Sequence, residues 1–186
     1  MGLEPKVKEK TFKQMLWVSM ISMTMMFAGL TSAYVISTKR EDWVNFELPQ
    51  AFYISTILIV LSSLSFYLAK RSLANRGRTT LFLVITLLLG IGFVFFQFQG
   101  FKQLIDAGLY FTGKESNVAT SFLYVITMAH MAHIFGGIIT LVVILINHLR
   151  EKYTVENKLG LELGLIFWHF VDLLWIYLVM FFIYIN

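Results

Sequence analysis

Five apolar runs, each of roughly 20 residues or more, leave this chain few ways to fold. A hydrocarbon core about 30 Å thick is crossed by about 20 residues of helix. Lipid offers no partner to a free N–H or C=O, so each crossing segment must satisfy its own backbone, as a helix does. We place the spans at 14–37, 50–69, 79–103, 118–147 and 160–185, bounded by Lys13, Lys39-Arg40, Pro49 and Lys70-Arg71 among others. The expected fold class is all-α: a bundle of five transmembrane helices forming a single membrane domain over 1–186. Composition agrees, with 58% hydrophobic and 14% charged residues against about 25% charged in soluble domains. There is no cysteine, which excludes disulfides, thiolate catalysis and Cys-ligated metal or iron–sulfur centres. The net charge of +4 comes from basic residues in loops and marks topology rather than nucleic-acid binding.

The N-terminal stretch 1–13 is polar and Lys-rich, and the apolar run after it is too long for a signal peptide, so none is expected. Eleven Lys and Arg fall on one side of the bundle: Lys6, Lys8, Lys10, Lys13, Lys70, Arg71, Arg76, Arg78, Arg150, Lys152 and Lys158. Four fall on the other: Lys39, Arg40, Lys102 and Lys114. The positive-inside rule then puts the N-terminus in the cytoplasm and Asn186 outside. Glu41, Asp42 and Glu47 lie on the outer side, as a solvated acidic loop.

Ionisable residues inside the spans are few. Asp172 is the one carboxylic acid well inside, since Glu162 is within a turn of the cytoplasmic end. His130, His133 and His169 are the imidazoles at depth. At 1.5 Å per residue Asp172 lies about 18 Å from Gly160, His130 about 18 Å from Val118 and His133 about 22 Å from it. The fourth and fifth helices are antiparallel, so the four groups share one level near mid-bilayer. Three uses fit: a metal or haem site, a proton relay, or a hydrogen-bonded clasp between helices. The clasp is preferred, because few carboxylates stand behind the histidines as a metal's supporting shell would need. We therefore expect no catalytic residue and no metal in this chain, and a structural cluster of His130, His133, His169 and Asp172.

The other features read as packing. Gly136, Gly137, Gly160 and Gly164 are placed to let helices approach. Ser19, Ser22, Thr24, Ser62, Ser63 and Ser65 can bond their own backbone or a neighbour; no charged residue accompanies them, as a transport path would require. Met20, Met23, Met25 and Met26 suit an adaptable lipid or helix interface. Trp17, Trp43, Tyr110 and Tyr184 suit interfacial belts.

Trp168-His169-Phe170-Val171-Asp172 through Trp175 resembles the C-terminal signature of subunit III of haem–copper oxidases. Thr127-Met128-Ala129-His130-Met131-Ala132-His133 with Gly136-Gly137 is similar to that family's Thr-Gly-x-His-x-x-His…Gly segment, with Met128 where Gly is usual. Phe27-Ala28-Gly29-Leu30 through Ala33-Tyr34, and Leu48-Pro49 through Ser62-Ser63, agree more loosely. Together these stretches cover almost the whole chain, in the five-helix bacterial form that lacks the first two helices of longer members. Two positions depart. Met23 stands where the family usually has an intramembrane Glu, and Gly100 stands where Gln-x-x-Glu would place another.

The resemblance implies an accessory subunit of a terminal oxidase, such as cytochrome c oxidase, without a redox centre of its own. It implies haem and copper in partner subunits I and II, bound phospholipid, and support of stability and proton uptake in the bacterial inner membrane. Cytochrome c or a cytochrome bc-type complex would be reached through the assembly, and no nucleic acid is expected. The alternatives are a subunit III-like component of a quinol oxidase or nitric oxide reductase, and a small transporter working alone.

Overall fold

The computed structural model describes residues 5–41, 43, 46–113, 116–153 and 158–185, without the side chains of Pro5 and Lys6. Asp42, Lys114 and Asn186, which entered the topology reading, lie outside the described residues. The elements are α1 (Pro5–Ser37), α2 (Gln50–Arg71), α3 (Arg76–Asp106), α4 (Val118–Leu149) and α5 (Leu159–Ile185), with no strand among the described residues. All five are long and apolar enough to cross a membrane.

The helices begin or end outside several of the expected spans, and α1 starts nine residues early. The reason is physical. The apolar boundary marks where lipid ends, whereas Lys and Glu are good helix formers that carry a helix on into water. Pro5 opens α1, where its missing N–H costs nothing, and Glu9 pairs with Lys13 one turn on at 2.6 Å. Local chemistry fixes other ends. Asn75 and Asn117 accept from the amides of Arg78 and Thr120 as N-caps of α3 and α4. Gly108, at φ 77°, lets α3 close with Gly108 N–H to Ile105 O and Leu109 N–H to Leu104 O, each 2.9 Å.

α4 and α5 are the central pair. α2 and α3 form a tight hairpin that covers one side of them, α2 against α5 and α3 against α4. α1 packs on the other side, against α4 and α5, and makes no packing contact with α2 or α3. The core between the layers is aromatic: Trp168, Trp175, Phe52, Phe93 and Phe182 are fully buried. Lipid cannot drive such packing by the hydrophobic effect, so close fit and interhelical hydrogen bonds must hold it.

Small residues create that fit. A Cβ on Gly137 would come within 3.0 Å of the Trp168 ring, and one on Gly90 within 2.9 Å of the same ring from the α3 side. A Cβ on Gly164 would overlap Ile144 of α4, and one on Gly100 would overlap the Phe52 ring. Gly160 abuts Tyr153 of the preceding loop, not a helix. Gly136 differs from its expected packing role: nothing lies within 4 Å of a Cβ built on it. Its neighbour Gly137 takes the close approach, because one residue further along α4 turns the position by about 100°.

Candidate functional site

Trp168 and Trp175 are seven residues apart, so they lie on one face of α5. A buried indole N–H needs an acceptor, and α2 supplies one for each. Trp168 donates to Ser62 Oγ and Trp175 to Thr56 Oγ1, both at 3.0 Å. Nearer the start of α2, Gln97 of α3 donates to Ser55 Oγ at 2.9 Å. The hydroxyl row of α2 is thus an interhelical seam.

The four residues expected to form a clasp are turned toward three different neighbours. His130 is fully buried among rings, stacked on Trp175 with centroids 5.0 Å apart and edge-on to Phe93 at 6.0 Å. Neither of its nitrogens has a hydrogen-bond partner. His133 donates from Nδ1 to the Ala129 carbonyl of its own helix at 2.7 Å and packs edge-on to Phe27 of α1. His169 pairs through Nδ1 with Ser63 Oγ of α2. Asp172 is 3% exposed, its carboxyl oxygens are shut off from the surface, and the Ser63 hydroxyl is the polar group beside them.

No hydrogen bond joins the four to one another. The tryptophans explain this. They take the face of α5 that looks into the core, and His169, one residue beyond Trp168, is rotated by about 100° toward the flank. Asp172 follows His169 to that flank. There both line a recess of about 530 Å³ with Val60, Ser63, Leu64 and Tyr67 of α2. Among the described residues no group of three or more His, Asp or Glu is placed to hold a metal.

A second polar assembly lies at the end of the bundle that carries Lys13 and Lys70. Glu162 of α5 contacts Lys70 Nζ of α2 at 3.1 Å, Lys13 Nζ of α1 at 3.3 Å and Lys158 Nζ at 3.8 Å. It bridges two helices that do not otherwise meet. Sequence reasoning placed Glu162 at the membrane edge but missed its partners. The three lysines come from three segments, and only the fold brings them together. Ser63 was singled out as a hydroxyl, but its pairing with His169 also needed the α2–α5 register.

The family model described as cytochrome c oxidase subunit III matches residues 2–186. Among curated proteins, the chain is 30% identical to the cytochrome bo(3) ubiquinol oxidase subunit 3 of Buchnera aphidicola subsp. Acyrthosiphon pisum, over 92% of this chain and 84% of that one. It is 25% identical to the cytochrome c oxidase subunit 3 of Bacillus sp. (strain PS3), over 87% and 80%. With the cytochrome c oxidase subunit 3 of Drosophila yakuba it shares 32% identity over 73% of this chain and 50% of the longer relative.

Proposed function

We propose, because this chain belongs to the cytochrome c oxidase subunit III family, that it is the accessory, cofactor-free subunit of a respiratory terminal oxidase that reduces dioxygen to water and moves protons. The chain is a multi-pass membrane protein and part of a haem–copper oxidase. Its partners in this reading are a catalytic subunit I with haem and copper, a subunit II, and phospholipid, in a bacterial inner membrane. It packs on the catalytic subunit and supports its stability and proton uptake. The observation that carries the reading is that the family match spans residues 2–186. The side chains support it. In this reading His133, engaged by its own backbone, His169, engaged by Ser63, and His130, enclosed by rings, serve packing.

Cytochrome c is the donor we assign to the complex. A quinol donor is the second reading, favoured by the likeness to the Buchnera ubiquinol oxidase subunit. Solubilising native membranes mildly and isolating the chain tests both. Oxidase polypeptides should come with it, and oxygen uptake should respond to reduced cytochrome c. Uptake driven only by quinol would move the assignment to the second reading, and a solitary chain would overturn both.

Two further expectations follow from the same assignment. The uneven distribution of Lys and Arg puts the C-terminus outside, so a C-terminal reporter active only in the cytoplasm should stay silent. Removing the chain should shorten the working life of the oxidase more than it lowers its initial rate. Oxygen progress curves that decay equally with and without it would contradict this.

A further inference from the structure

α1 is the least buried of the five spans, and its two halves are held differently. From Phe27 onward it is anchored. Phe27, Thr31 and Tyr34 are buried, and Tyr34 sits among the rings of Trp43, Phe122, Phe181 and Phe182. Thr31 Oγ1 lies 3.3 Å from Tyr177 Oη of α5. Before Phe27, among the described residues 7–26, Met20 is the one buried side chain. A trough of about 600 Å³ lies there between α1, α4 and α5, with Leu16 and Ser19 on the α1 wall and Gly136 and Thr140 on the α4 wall. At the junction of the two halves Thr24 Oγ1 donates back to the Met20 carbonyl at 2.9 Å, a bond that eases bending of a helix.

Apolar side chains gain little by leaving lipid for a neighbouring helix, so a polar tie weighs heavily on where the first half of α1 rests. That tie is Lys13 Nζ to Glu162 Oε2 of α5, at 3.3 Å. Parting an ion pair is costly when it leaves a charge without a partner. Here both members have a second one. Lys13 contacts Glu9 of its own helix at 2.6 Å, and Glu162 contacts Lys70 at 3.1 Å and Lys158 at 3.8 Å. Glu9 travels with α1, whereas Lys70 stays with α2, which α3 holds in its hairpin. Separation of α1 from α5 at this end therefore strands no charge.

We propose that the stretch of α1 before Phe27 is a strap that swings off α5, and that Lys13 is its catch, passing from Glu162 to Glu9 when the strap opens. Closed, it supplies one wall of the trough through Leu16 and Ser19. Open, it widens the trough at the Lys13 end, while the ring cluster around Tyr34 keeps the other end in place. The strap belongs to the chain itself and does not rest on the oxidase reading.

The chain has no cysteine, so introduced pairs can be spin-labelled cleanly in the full chain in lipid nanodiscs. Phe12→Cys with Ala74→Cys reports the Lys13 end, and Ile36→Cys with Gln50→Cys the Tyr34 end; all four positions are exposed. At low salt each pair should give one narrow distance. Lys13→Met should lengthen the first distance by about 5 Å or more, half a helix diameter, and leave the second unchanged. Lys70→Met should leave the first distance as it was, because Lys13 keeps Glu162. Salt of about 1 M, which shortens the screening length to about 3 Å, should open the unsubstituted strap reversibly. Glu9→Gln removes the alternative partner and should shift that opening to higher salt. An unchanged first distance in Lys13→Met, equal lengthening of both distances, or equal opening by Lys70→Met would overturn the proposal. Opening of Glu9→Gln at the same salt as the unsubstituted chain would overturn it too.

Discussion

The two sides of α5 carry similar residues and treat them differently. Toward the core, Trp168 and Trp175 each donate to a hydroxyl of α2, His130 stacks on Trp175, and glycines at 90 and 137 make room for Trp168. On the flank between α1 and α2, His169 and Asp172 share the Ser63 hydroxyl of α2 beside open recesses. In lipid, packing is driven by fit and by satisfied polar groups, not by escape from water. The first side is closed by rings around His130, whose two nitrogens stay unpartnered; the second stands beside open recesses.

The sharpest way to break this contrast is at Trp175. Trp175→Ala removes a fully buried ring, its bond to Thr56 and the surface on which His130 stacks. The expected loss is about 3–5 kcal/mol, read from the unfolding midpoint in detergent. Gly164→Val comes next. Its side chain would collide with Ile144, so α4 and α5 must separate at a cost of about 1–3 kcal/mol, seen in the same measurement. Ser63→Ala tests the flank. It removes the one partner of His169, at about 0.5–1.5 kcal/mol. Leu173→Ala should change the stability of the isolated chain by less than about 0.5 kcal/mol, because the side chain is mostly exposed. Equal losses for Trp175→Ala and Leu173→Ala would erase the distinction between the two sides.

The number and order of the helices could be read from apolar length, because lipid imposes length directly. Helix ends were less legible, as α1 shows: Lys8, Glu9 and Lys10 are as compatible with an arm as with a helix running on into water. The polar residues of the apolar runs, Asp172, His130, His133 and His169, are conspicuous in the sequence itself. Their partners were not legible. The shared level estimated from 1.5 Å steps holds no rotational information, and rotation sends His130 to Trp175, His133 to its own backbone and His169 to Ser63. One consequence is a revised expectation for Asp172. It binds no imidazole in this chain, so its removal should be felt first at the Ser63 hydroxyl beside it. Gly100, noted as a departure from the family's usual Glu, has a packing account, since the Phe52 ring fills the space. For Met23 the structure offers only partial burial against the core.

The bridge through Glu162 bears on how the chain is made. α2 and α3 adjoin in sequence and can close on each other as soon as both have left the ribosome. α1 has no such early companion: it packs only on α4 and α5, and its lysine is fastened by a glutamate 149 residues downstream. During synthesis the first helix must therefore wait in the bilayer, or against the insertion machinery, until α4 arrives, and its lysine must wait for α5. A ribosome stalled before residue 159 would leave α1 held by α4 alone, with Lys13 missing its glutamate beside a finished hairpin.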